Sequence, residues 1–137
     1  MKYDVFKAFT AVTFTAIVTY FNELLLPLII LIAVMTVDYV SGLCKAFVSG
    51  TLSSKTGIKG IVKKLCYFLA VLAGAGVDFI AFENGDFVVS SPVSCLVAFW
   101  LILNELISIL ENLSAIGVPL PEFLMGITKK LLQHKEN

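Results

Sequence analysis

Of 137 residues, 58% are hydrophobic and only 15% are charged, against roughly 25% charged in an ordinary soluble domain. A soluble domain this small could not hide so much apolar surface, because small domains bury a lower share of theirs; the composition calls for lipid as the solvent. Formal net charge is zero and all ten basic residues are lysine, which argues against a nucleic-acid partner and forgoes the bidentate arginine contacts made to bases and phosphates.

Four apolar segments are long enough to test against the roughly 20-residue helix that a bilayer requires. The first, residues 5–21, is short, rich in threonine and contains Lys7; it spans if Lys7 reaches the interface, and otherwise lies in the membrane plane. Lys2 and Lys7 before an apolar run suggest a signal peptide, but no A-x-A-like site follows and a second apolar stretch begins at once, so retention is expected. The second, residues 24–48, opens LLLPLIILIAVMTV, with Pro27 near its first turn, where a missing N–H does little harm. The third and fourth are residues 65–82 and 93–113.

The connections carry the orientation. Asn22 and Glu23 form a very short first link. Between the second and third segments come Lys45, Lys55, Lys59, Lys63 and Lys64 with no acid, and between the third and fourth come Glu83 and Asp86 with no base. Lysine near span ends marks the cytoplasmic side, so the second connection and the tail, with Lys129, Lys130 and Lys135, are expected inside. Four spans, or three with the first helix lying flat, both satisfy this count.

Two stretches pattern as interfacial helices on an anionic inner leaflet. Ile58, Ile61, Val62 and Leu65 fall on one side and Lys59, Lys63 and Lys64 largely elsewhere. After Pro119 and Pro121, over residues 120–137, Phe123, Leu124, Ile127 and Leu131 recur at helical spacing, with Lys130, Gln133 and His134 facing another way. Solvated ends of longer helices give the same pattern. The expectation is an all-α polytopic membrane protein, one domain over residues 1–137, with three or four transmembrane helices, interfacial amphipathic helices and a homo-oligomeric state.

Polar residues inside the apolar segments carry the functional information, since a charge at mid-bilayer costs at least about 2.5–3.5 kcal/mol. Asp38 and Lys45 share a helical face with Ser41 and Gly42 between them. Asp78 sits in the third segment. Asn104, Ser108, Glu111 and Asn112 form a stripe down the fourth, with Glu105 beside it. These are candidates for a pore or an oligomer contact; headgroup-level helix ends and hydrogen bonds within one bundle are the structural alternatives. Glu105 is further expected to act as a switch, neutral while buried and charged when water or a lysine reaches it. Gly42, Ala46 and Gly50, and Ala70, Gly74 and Asp78, recur every four residues, a spacing that lets helices approach closely in lipid. Cys44, Cys66 and Cys95 have neither disulfide nor zinc spacing, and His134 has no partner nearby. No cofactor, metal site or enzymatic activity is expected.

Three stretches in order, VDYVSGL at 37–43, LSSKTGIKGIVKKL at 52–65 and NELISILENLSAIGVPLPEFL at 104–124, resemble the phage lysis holin family that includes clostridial toxin-secretion holins. The resemblance runs over most of residues 30–132. Asp38, Tyr39, Gly42, Gly57, Lys59, Gly60, Lys63, Lys64, Asn104, Glu105, Ser108, Glu111, Asn112, Gly117 and Pro121 match its motif positions. It implies a protein of the bacterial cytoplasmic membrane that assembles with itself in the bilayer into lesions; the lysine count adds a C-terminus on the inside. Endolysin or a large toxin would then be the cargo released. A small transporter or ion channel and an antiholin-like regulator are the rival classes.

Overall fold

The computed structural model describes residues 2–81, 91–124 and 126. Three long helices account for most of them: α1 (Lys2–Val48), α2 (Ser54–Ala81) and α3 (Pro92–Ile116). Each is long and apolar enough to cross a membrane, and the chain is an all-α polytopic membrane protein. Residues 82–90 and 127–137, with Glu83, Asp86, Ile127, Lys129, Lys130, Leu131, His134 and Lys135, lie outside the described residues.

The segments expected over 5–21 and 24–48 form one helix of 47 residues, about 70 Å long. Neither Asn22 nor Glu23 breaks a helix, so the expected link continues the spiral. Pro27 consequently sits inside α1, where it removes the donor for the Glu23 carbonyl; a bilayer helix tolerates this when neighbouring groups are satisfied locally. Before Tyr20, every described side chain from Tyr3 onward except Ala16 is exposed. The hydroxyls of Thr10 and Thr13 bond back to the carbonyls of Lys7 and Phe9, each at 2.9 Å, which turns these two polar groups toward the helix's own backbone.

The residues patterned as an interfacial helix over 58–65 are likewise the first turns of α2, the solvated-end alternative. Glycine ends both α1 and α3. Gly50 (φ 67) and Gly117 (φ 91) take left-handed conformations, and the next N–H reaches back in each case, Thr51 to the Ala46 carbonyl at 2.9 Å and Val118 to that of Leu113 at 3.1 Å. This is the Schellman arrangement, which satisfies carbonyls otherwise left without donors. Gly50 is therefore a cap, not part of a packing face.

α3 packs along both other helices, whereas α1 and α2 barely meet. The core is Leu24, Leu31, Met35, Val71, Ala98, Leu101 and Ile102, with Ala70 packed against it. Gly74 brings α2 onto α3 so closely that a Cβ there would lie 3.0 Å from the Ser94 Cα. Gly57 and Gly60 leave room for the Tyr39 ring, and Gly42 for the Asn112 amide; Ala46 is half-buried on the side of α1 that faces α2. Outward, Phe9, Phe14, Leu26, Leu72, Phe79, Leu96 and Trp100 are all more than three-fifths exposed. Apolar surface on this scale suits hydrocarbon, not water.

Candidate functional site

Two polar networks lie inside this apolar bundle, with an apolar layer between them. The first joins all three helices. Lys64 on α2 donates to Asp38 on α1 at 2.9 Å and to Glu105 on α3. The other Asp38 oxygen accepts from the Asn112 amide at 3.2 Å, and Asn112 also donates to the Ser41 hydroxyl at 3.1 Å. Ser41 in turn donates to the Asp38 carbonyl at 2.9 Å. Asp38 and Ser41 are three apart on α1, and Glu105 and Asn112 seven apart on α3, so each pair lies on one helical face. The Glu105 side chain is 1% exposed and that of Lys64 only 15%. Two carboxylates thus share one ammonium in the interior.

The second network sits at the other end of the bundle. Asp78 of α2 accepts from the N–H groups of Val93 and Ser94 at 2.8 and 3.0 Å, from the Ser94 hydroxyl at 2.6 Å and from the Tyr20 hydroxyl at 3.2 Å. Tyr20 also meets the Ser94 hydroxyl at 2.8 Å. Glu23 accepts from the N–H and the hydroxyl of Ser91 at 3.0 and 3.2 Å. Ser91 stands at the N-cap of α3 but makes no side-chain capping bond. The orphan N–H groups of the first turn are served instead by a carboxylate from another helix, whose charge also suits the positive end of the α3 dipole. Between the networks lie Leu31 and Met35 of α1, Val71 of α2, and Ala98, Leu101 and Ile102 of α3. No buried side-chain nitrogen or oxygen among the described residues lacks a partner.

The residues singled out from sequence therefore divide. Asp38, Glu105 and Asn112 come together, and Asp78 joins the other network. Lys64, expected on the membrane surface with Lys59 and Lys63, turns inward and replaces Lys45 as the partner of Asp38. Lys45, in the last turn of α1, is exposed. Lys59 and Lys63 are exposed, Lys63 with its ammonium 5.6 Å from the Tyr67 ring centre. Asn104, Ser108 and Glu111 stay outside both networks. Glu105 meets a lysine within the single protomer, so the expectation that a lysine arrives only on opening does not describe this bundle. Sequence reasoning missed Tyr20, Glu23, Ser91 and Ser94. Ser91–Pro92 was a legible signal, since serine before proline marks a helix start; nothing local pointed to Asp78 as the acceptor. No metal-binding group of histidine, cysteine, aspartate or glutamate occurs among the described residues.

The chain matches the bacteriophage holin family over residues 15–133. It is 37% identical to an uncharacterized protein of Clostridium perfringens over 77% of this chain and 75% of that one. It is 35% identical to an uncharacterized protein of Listeria monocytogenes over 90% and 85%. A probable holin of Bacillus phage phi105 is 35% identical over 62% of this chain and 58% of its own. No solved structure matches.

Proposed function

The chain belongs to the bacteriophage holin family, and from that membership we propose that it accumulates in the bacterial cytoplasmic membrane and assembles with itself into lesions. These release endolysin, or a large toxin, and bring about lysis. The role is non-enzymatic; the cargo passes the lesion and need not bind the protein. The observation that carries the reading is the ammonium of Lys64 shared by Asp38 and Glu105. Charges held this way let a protomer dissolve in lipid, yet the same groups can face water once the helices part. Such a bundle has two packings available, and assembly can select between them. Most described residues lie in three long apolar helices, which suits a role played within the bilayer.

Induced expression in a bacterium with and without a cytoplasmic endolysin tests this. The expected result is abrupt loss of membrane integrity in both and clearing of the culture when endolysin is present. Growth that continues at full membrane accumulation would favour a regulator, and flux that saturates with a small solute would favour a transporter.

Orientation is part of the proposal: Ser54 and the tail inside, Gly85 outside. The lysine asymmetry supports it, and the fold supports one part of it, that Ser54 and the end of α3 share a side. Tyr20 meets Ser94 and Asp38 meets Asn112, so α1 and α3 run parallel, and the start of α2 shares an end with the end of α3. Cysteines introduced at 54 and 85, with Cys44, Cys66 and Cys95 replaced, would be probed by an impermeant thiol reagent on intact cells. Labelling is expected at 85 alone; labelling at 54 alone reverses the orientation.

A further inference from the structure

Part of the polar surface of α3 stands apart from both networks. Asn104, Ser108 and Glu111 follow one another at intervals of four and three residues, which sets them along one side of the helix. Glu105 and Asn112 turn into the bundle instead. Asn104 is exposed, and Ser108 and Glu111 are half-buried. None of the three makes a side-chain hydrogen bond or ion pair among the described residues. Asn104 is twelve residues from each end of Pro92–Ile116, about 18 Å either way, too deep to reach the headgroups.

A polar group at that depth needs an answer within the membrane. Water in a lumen is one answer and a neighbouring helix is the other. Toward Pro92 the same side of α3 continues, at spacings of four, as Trp100 and Leu96, 65% and 67% exposed. A lumen lined by this side would be dry along half its length. A helix contact, by contrast, needs only a local polar clasp within apolar packing.

The complementarity identifies the neighbour. A primary amide is both donor and acceptor, so two Asn104 side chains at equal depth satisfy each other. Glu111, half-buried and without an ion pair among the described residues, is matched by a cation at its own depth. From the Lys64–Glu105 contact, Glu111 lies six residues along α3, about 9 Å, and Lys59 five residues along antiparallel α2 toward the same end, about 7.5 Å. Lys59 is exposed and has no ion pair among the described residues. Copies inserted in one orientation meet at equal depths. We propose that the Asn104–Ser108–Glu111 side of α3 is the contact between copies of this chain, closed by Asn104 against Asn104 and by Glu111 against Lys59 of the neighbouring copy. This rests on the self-assembly reading above and gives it a surface.

The test uses the full chain in membranes. In a background with Cys44, Cys66 and Cys95 replaced, Asn104→Cys is oxidised, with Leu26→Cys as the control, another exposed position, on α1. Assembly is followed separately by mass measurement in mild detergent. Position 104 should form disulfide-linked dimers and position 26 should not. Adding Glu111→Lys or Lys59→Glu should lower the yield roughly three- to tenfold, the range of interhelical polar contacts in lipid, and the double exchange should restore it. Membrane accumulation of each single variant at the parent level shows that it folds. Oligomers by mass without linkage at 104, or single and double exchanges that behave alike, overturn the surface and leave self-assembly standing. Monomers throughout, at expression levels that lyse cells, overturn both.

Discussion

Replacing Lys64 with methionine is expected to destabilise the bundle by about 3 kcal/mol. Removing one partner of a buried pair costs about 3–5 kcal/mol in soluble interiors, because the remaining charge keeps its desolvation penalty without its compensation. Here two carboxylates, Asp38 and Glu105, lose the same ammonium. The lower end of the range applies because a chain unfolded within the membrane still finds polar partners for its side chains. Methionine matches the length and apolarity of the lysine stem, so the loss reports charge more than packing. Unfolding in mild detergent on addition of a denaturing one would measure it. In cells, a loosened α2 should bring lysis forward at equal accumulation or abolish accumulation. Glu105→Gln is the informative companion. It leaves Lys64 with Asp38 and keeps an acceptor for the ammonium, so its stability loss should be clearly smaller while lysis timing still shifts. If Lys64→Met unfolds at the wild-type midpoint, the triad contributes nothing to holding the helices together.

Asp78→Ala should loosen the opposite end by about 2 kcal/mol. The carboxylate is 1% exposed and receives two backbone N–H groups and two hydroxyls. Loss of an N-cap costs about 0.5–2 kcal/mol, and charge-assisted bonds are the stronger kind, so the upper part of that range is appropriate. The effect should be local. The amides of Val93 and Ser94 are expected to exchange hydrogen roughly 30-fold faster, the equivalent of 2 kcal/mol, while amides near Asn112 change little. Asp78→Asn keeps one acceptor oxygen and should lose less. Unchanged exchange at 93 and 94 would show that water or another group can cap α3 equally well.

Much of this was legible before any coordinates. Long apolar runs interrupted by few charges specify helices in lipid, because an unpaired backbone group cannot remain in hydrocarbon. Gly117 followed by Pro119 marks the end of α3 by local chemistry alone, and three ordered motifs pointed to the holin family. Charge in the apolar runs flagged Asp38, Asp78 and Glu105 as residues that had to be answered by something. Helical periodicity also grouped Asn104, Ser108, Glu111 and Asn112 as one stripe, which is correct for a helix seen alone.

What answered each charge was decided only by the tertiary structure. Periodicity says which residues share a face; it is silent on which neighbouring helix that face meets. Helical spacing put Lys45 on the face of Asp38 and Lys64 on the membrane surface, and the antiparallel placement of α2 against α3 brought Lys64 inward instead. The stripe on α3 was split for the same reason: its side toward α1 and α2 took Asn112 into a network, and its other side left Asn104 and Glu111 without one. Asp78 found its acceptor role 15 residues away, at a helix start that Gly74 allows to approach within contact distance. Asn22 and Glu23 read as a link because they are polar between two apolar runs. In the folded chain Glu23 accepts from Ser91, and the backbone, with nothing to break it, continues as helix.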